Sequence, residues 1–254
     1  HSLASTHVIY KSKAFDNYDI IFTNGSYQQK EIICNEKINN LNKKKLINTG
    51  YFYLDYLKNK ASLNSTSKKT ILFAPSWNYN NKNLFNDHAE KIINLLNKNE
   101  YKVILRPHPE IFKRNKEKVQ RILNLFQDSE MFEVDKKSSN IESMESSFVL
   151  ITDNSTIGME YALALKKPVV YINYLKKIHN PDHKKIDLIP LEETFQKTIG
   201  FNIDIDHIDT LPSVLENFKK NNCLSNDKLK IFEDKNLSHI GNSAVTAARY
   251  LSGF

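Results

Sequence analysis

The sequence predicts an α/β protein whose main body is a doubly wound parallel sheet. Three observations lead there. Short, nearly unbroken apolar runs at 70–75, 147–153 and 168–173 read as strands buried on both faces. Segments with helical spacing lie between such runs; in 84–99 the apolar residues fall at 85, 89, 92, 93 and 96. The runs also stop abruptly at Pro or at a Thr-Asp-Asn-Ser cluster, the punctuation of strand-to-helix junctions.

In chain order, Asp19-Ile20-Ile21-Phe22 is a short strand, Asn24-Gly25-Ser26 a turn, and Ser26 a candidate N-cap for a following helix. A second short strand in 44–57 ends at Gly50, and the polar, Ser/Asn-rich stretch 58–69 reads as a linker. The regular pattern then begins: strand 70–75, helix 84–99, strand 101–109, helix 116–126 with Val119, Ile122, Leu123 and Phe126 on one side, and a short strand in 132–137. Strand 147–153, helix 156–165 and strand 168–173 follow, then helices in 211–221, 227–235 and 242–252. The expected division is a partial N-terminal α/β domain over 1–62, a nucleotide-binding, Rossmann-like domain over 66–238, and a last helix in 239–254 that crosses back to the N-terminal part.

Composition narrows the function. The 254 residues are 40% hydrophobic and 26% charged, enough for a sizeable core. No apolar run approaches the roughly 18–20 residues that span a bilayer, and no signal peptide is visible. Cys34 and Cys223 stand far apart in no metal-binding spacing and read as reduced thiols. The net charge of +7 favours anionic partners. Nucleic acid is not expected, because no recognition motif accompanies the charge. The one dense basic stretch, 112–121, reads as a solvated helix face, with peripheral docking on acidic membrane as a further expectation.

In a doubly wound sheet, ligands bind beyond the carboxyl ends of the strands. Three such ends carry unusual residues. In Ala74-Pro75-Ser76-Trp77, Ser76 offers a hydroxyl for phosphate, against a purely structural proline turn. In Arg106-Pro107-His108-Pro109, Arg106 suits a bidentate phosphate contact, and the prolines hold His108 in extended backbone. At Thr152-Asp153-Asn154-Ser155-Thr156 a strand meets a helix start, whose unpaired N–H groups and partial positive charge attract an anion. Ser155 and Thr156 add hydroxyls, and Asp153 is either a helix cap or part of the site. Glu160, one turn in, is placed for ribose hydroxyls or is a surface glutamate. Gly158 suggests close approach of a ligand or a neighbouring strand. The junction is therefore expected to take the diphosphate of an activated donor.

In this order and spacing, "FAPSW" (73–77), "LRPHP" (105–109) and "ITDNSTIGMEYALALKKPVVYI" (151–172) resemble the CDP-glycerol glycerophosphotransferase family, GT-B-fold enzymes that build teichoic acids and related capsule polymers. "NTGYFYLDYL" (48–57), "YDIIFTNGSY" (18–27) and "GNSAVTAARYL" (241–251) extend the resemblance over nearly the whole chain. It implies a GT-B-like fold and transfer of a glycerophosphate, or a related polyol-phosphate or sugar, from a CDP- or UDP-activated donor to a hydroxyl of a cell-surface polymer or lipid-linked acceptor. The family's general-base histidine maps onto His1, with Ser2 in place of Gly; a tag remnant is the other reading. Arg106, the helix start near Ser155, and Ser243 at the start of the last helix would stabilise charge on the leaving nucleotide, and His108 would bind or protonate phosphate oxygens. Neither a metal nor a separate cofactor is implied, and the site of action would be cytoplasmic, on the inner face of the membrane. Asn154 stands where the family has Tyr, and Phe52-Tyr53 where it has Pro-Arg, which removes a cation and leaves the donor open. A non-hydrolysing UDP-sugar 2-epimerase and a non-catalytic nucleotide- or polymer-binding domain are the alternatives.

Overall fold

The structure, a computed structural model, describes residues 2–61, 68–78, 82–221 and 223–253. It forms two compact units, one made of residues 1–60, 177–198 and 226–254, the other of 61–176 and 199–225.

The first unit holds two parallel strands, β1 (Ile20–Thr23) and β2 (Lys45–Asn48), paired in register from Ile20 opposite Lys45 to Thr23 opposite Asn48. The helix Ser26–Ile38 connects them, completing a βαβ unit. Ser26 is the first helical residue rather than the cap; Gly25 takes the cap position, with no side-chain bond. The helix Phe52–Lys60 follows β2. Between them Gly50 has φ +86°, and a Cβ there would lie 2.2 Å from the carbonyl oxygen of Ser238, so only glycine fits.

Buried polar groups draw the later stretches of chain into this unit. Thr6 donates to Glu31 Oε2 from both N–H (2.6 Å) and hydroxyl (2.7 Å), and His7 Nδ1 lies 3.2 Å from Glu31 Oε1. The Ser5 N–H donates to Glu192 (2.9 Å), and the Ser5 hydroxyl accepts from the Leu191 N–H (2.7 Å). Burial raises the pKa of Glu192. Lys58 pairs with Glu233 on the helix Asn226–Asn236. Residues 177–198 and 226–238 therefore group with the first sixty, where the sequence reading had placed them in the nucleotide-binding domain. Residues 239–254 group with the first sixty as well.

The second unit contains six parallel strands: β3 (Thr70–Phe73), β4 (Lys102–Leu105), β5 (Phe132–Val134), β6 (Val149–Thr152), β7 (Val169–Asn173) and β8 (Phe201–Asp204). Their order is β5-β4-β3-β6-β7-β8. Alternate residues serve opposite faces. Ile71, Phe73, Val103, Leu105, Val149 and Ile151 join one core with the helices Leu84–Lys98, Lys116–Phe126 and Leu211–Lys220. The helices Ile141–Ser146 and Ile157–Leu165 also pack on the sheet, the first against β3, the second against β6 and β7. The sheet is covered by helices on both faces, as the apolar runs predicted. Asn83 caps the helix Leu84–Lys98, its side chain accepting from the Asn86 N–H at 2.9 Å.

Among the described residues, no helix is long and apolar enough to cross a membrane. Cys34 and Cys223 are free thiols. In the basic stretch 112–121, Lys113 and Arg114 pair with Glu110, Arg121 pairs with Glu90, and Lys118 donates to the Asn86 carbonyl. Much of its charge is thus met internally.

Candidate active site

The strand order reverses between β3 and β6, so the loops leaving these two strands diverge and open a crevice at their carboxyl ends. Backbone pairing continues past the strands and fixes the loops there. Ala74 N–H donates to Ile151 O (2.9 Å) and the Thr152 hydroxyl to Ala74 O (2.6 Å). On the opposite side of β3, Arg106 N–H donates to Phe73 O (2.8 Å) and His108 N–H to Pro75 O (3.1 Å). The β3 loop therefore sits between the β4 and β6 loops and is tied to both.

Within this frame the expected residues take definite partners. Ser76 and Asp153 bind each other: the Ser76 N–H donates to Asp153 Oδ1 and its hydroxyl to Oδ2, both at 2.8 Å. Both residues are buried. Both carboxylate oxygens of Asp153 thus serve Ser76 and lock the β3 loop to the β6 loop.

His108 caps the helix Pro109–Arg114, its Nδ1 accepting from the Glu110 N–H at 3.2 Å. Accepting at Nδ1 puts the proton of the neutral ring on Nε2. The ring stacks on Trp77, with centroids 6.3 Å apart and planes 23° from parallel, and the Arg114 guanidinium lies over Trp77 at 5.1 Å. Hydrogen bonds from Arg114 and Lys113 hold Glu110 down to about 2, so it is ionised at neutral pH.

Arg106 faces the loop after β5. Its Nη1 contacts Asp135 Oδ2 at 2.6 Å and its Nη2 donates to Ser138 O at 3.3 Å. Burial raises the pKa of Asp135, but hydrogen bonds from the Lys137 N–H, Ser143 and Arg106 outweigh it and hold the carboxyl below its ordinary range. The bidentate phosphate contact expected of Arg106 meets a guanidinium already engaged at both of these nitrogens.

Ser155 and Thr156 differ. The helix runs from Ile157 to Leu165, and Thr156 is its cap residue without any side-chain cap bond. Ser155 and Thr156 are half-buried, and neither hydroxyl bonds to another described residue. Glu160 is 6% exposed, which excludes a surface glutamate. Gly158 admits the neighbouring strand: a Cβ there would lie 2.3 Å from the hydroxyl oxygen of Tyr171 on β7.

Ser243, in the other unit, begins the helix Ser243–Ser252 and is 2% exposed. The expected anion at this helix start is supplied by the chain itself. Asp55 accepts from the Gly241 N–H (2.6 Å), the Ser243 N–H (3.0 Å) and the Ser243 hydroxyl. His1 lies outside the described residues. Asp55 and Asp135 were not foreseen; nothing local marks a carboxylate whose partner is remote in sequence. No group of three or more His, Cys, Asp or Glu among the described residues is placed to hold a metal ion.

A family model identifies the chain's family, and the solved structures it resembles share its fold. The family model described as CDP-glycerol:poly(glycerophosphate) glycerophosphotransferase matches residues 4–243. The minor teichoic acid biosynthesis protein GgaB of Bacillus subtilis (strain 168) is 29% identical over 147 residues, 58% of this chain and 14% of GgaB. Among solved structures, the wall teichoic acid polymerase TagF, soaked with CDPG, superposes with a TM-score of 0.56 at 21% identity, over 92% of this chain and 55% of TagF. The UDP-GlcNAc 2-epimerase of Methanocaldococcus jannaschii, in complex with UDP-GlcNAc and UDP, gives 0.57 at 16% identity, over 93% of this chain and 61% of that one. These likenesses bear out the GT-B-like α/β fold. The chain spans about half the length of TagF and a seventh of GgaB.

Proposed function

This chain belongs to the CDP-glycerol:poly(glycerophosphate) glycerophosphotransferase family, and on that premise we propose that it transfers glycerophosphate from CDP-glycerol to a hydroxyl of a poly(glycerophosphate)-type polymer in teichoic acid biosynthesis. One observation carries the reading. The uncapped start of helix Ile157–Leu165, flanked by the unengaged hydroxyls of Ser155 and Thr156, lies at the carboxyl end of β6 beside the switch point of the sheet. Backbone N–H groups, a positive helix end and two hydroxyls together suit a diphosphate.

In the reaction, an oxygen of the acceptor hydroxyl attacks the β-phosphorus of the donor. The bond from that phosphorus to the bridging oxygen breaks, CMP leaves with the electron pair, and the acceptor proton passes to a base. Ser155, Thr156 and the helix start bind the diphosphate and stabilise the charge growing on CMP. Glu160 takes the ribose hydroxyls. His108, with its proton on Nε2, donates to a phosphate oxygen. Ser76, Asp153 and Arg106 hold the three loops rather than the donor, and Asp55 holds Ser243. His1 is the candidate base. The enzyme would work as a peripheral protein on the cytoplasmic face of the membrane, where nucleotide-activated donors are found.

The test is CMP release from CDP-glycerol in the presence of a glycerol phosphate oligomer, with UDP-GlcNAc as the parallel substrate. The double variant Ser155→Ala/Thr156→Ala should weaken CDP-glycerol binding about tenfold or more, the loss of one to two hydrogen bonds to charged oxygens. His108→Ala should abolish turnover while donor binding persists. UDP-GlcNAc isomerised without nucleotide release would instead support an epimerase, and donor binding without turnover a non-catalytic domain.

A further inference from the structure

In the first unit, away from the carboxyl ends of β1 and β2, a cleft of about 810 Å³ opens beside the helix Ser26–Ile38. Ile33, Lys37, Leu41, Lys43, Lys44 and Leu46 line it. The helix returns between two parallel strands, so its C-terminal end and residues 39–44 lie at the amino end of β2. That is the end opposite the one where folds of this type bind their reacting ligands.

The wall of the cleft is a fixed piece of backbone. Asn40 adopts φ +50°, and the Leu41 N–H bonds back to Glu36 O at 2.9 Å, the left-handed closure that ends many helices. Glu36 is buried, and its carboxylate accepts the Lys44 N–H at 2.8 Å, so its charge is turned inward to the loop. Lys44 donates its ammonium to Asp16 O at 3.1 Å. Lys37 and Lys43 form no ion pair among the described residues. The cleft thus offers ammonium groups interleaved with aliphatic side chains, in a concave and preformed surface.

We propose that this cleft is a subsite for the phosphodiester polymer, holding a stretch of chain remote from its reacting end; the proposal rests on the transferase reading above. A glycerol phosphate chain carries one negative charge per repeat, separated by short carbon linkers. That alternation matches lysines set among Ile33, Leu41 and Leu46. A flat bilayer surface does not enter a concavity of this kind, and a second copy of the same cationic face would be repelled. The subsite would raise affinity for a long acceptor without touching the reacting groups, because a polymer held at two places dissociates more slowly than one held at a single place.

The experiment uses the full chain and a fluorescently labelled glycerol phosphate oligomer, with binding followed by anisotropy as salt is varied. The variant Lys37→Glu/Lys43→Glu should bind the oligomer about tenfold more weakly or worse, with a shallower dependence on salt because fewer counterions are released. Its affinity for CDP-glycerol should be unchanged. The milder Lys37→Gln/Lys43→Gln pair serves if charge reversal disturbs folding, and a thermal melt checks both. Oligomer affinity within twofold of the parent in the folded variants overturns the proposal. So does loss of binding to phosphatidylglycerol vesicles with oligomer binding intact, which would make this a membrane surface. A parent chain that binds CDP-glycerol and not the oligomer also overturns it, leaving the transferase reading in place. If CDP-glycerol is neither bound nor converted, the transferase reading fails, and the oligomer titration alone decides the subsite.

Discussion

At the scale of single residues, three of the residues expected at the site, Ser76, Arg106 and Ser243, are engaged by the protein's own carboxylates. Asp153 takes both the N–H and the hydroxyl of Ser76, Asp135 takes Arg106, and Asp55 takes the start of the last helix. Asp153→Ala would leave a buried N–H and a buried hydroxyl of Ser76 without a partner, at a cost of ~1–3 kcal/mol for each group that finds no water. The expected result is a lower urea midpoint with an unchanged slope; a midpoint equal to the parent's would show that the pair does not hold the loops. Sequence reading singled out Ser76, Arg106 and Asp153 correctly as residues at strand ends. It assigned them to a ligand because their partners lie far along the chain: Asp153 is 77 residues from Ser76, and Asp135 is 29 from Arg106. Residue type and local spacing carry no information about such pairs.

At the scale of elements, the strands that were legible carry two or more adjacent apolar residues, β5 (Phe132-Glu133-Val134) excepted. β8 was not legible, because Phe201-Asn202-Ile203-Asp204 alternates as an edge strand does, and a single four-residue alternation has no weight beside a continuous run. The helix Pro109–Arg114 was hidden by its own proline, which reads as the end of a strand yet is well suited to the first turn of a helix. Gly158 shows the opposite case, an oddity in the sequence with a plain physical reason. It costs helix propensity, and it makes room for Tyr171, which is 2% exposed on β7. Gly158→Ala should therefore lower stability by ~1–3 kcal/mol through overpacking, despite alanine's better propensity. A thermal melt distinguishes this from the gain of several tenths to 1 kcal/mol that propensity alone predicts. The same melt bears on function, because this helix carries the proposed diphosphate site at its start.

At the scale of the whole molecule, the fold class and the strand ends that matter were readable from the sequence, whereas the grouping of segments was not. The breaks fall after residues 60, 176, 198 and 225, so the chain passes between its two units four times. No composition shift marks the last three, because the bonds that decide membership, such as Ser5 to Glu192 and Lys58 to Glu233, connect residues roughly 175 or more apart. Removal of residues 226–254 should consequently unfold the first unit, stripping Lys58 and Asp55 of their partners, while the second unit keeps all six of its strands. Amide exchange would show this as lost protection in β1 and β2 with β3 to β8 still protected, and equal protection in both would refute the interdependence. A chain threaded in this way is inherited as a single piece. A single crossover cannot exchange one unit for a homologue's, because each unit is assembled from separate stretches of the sequence.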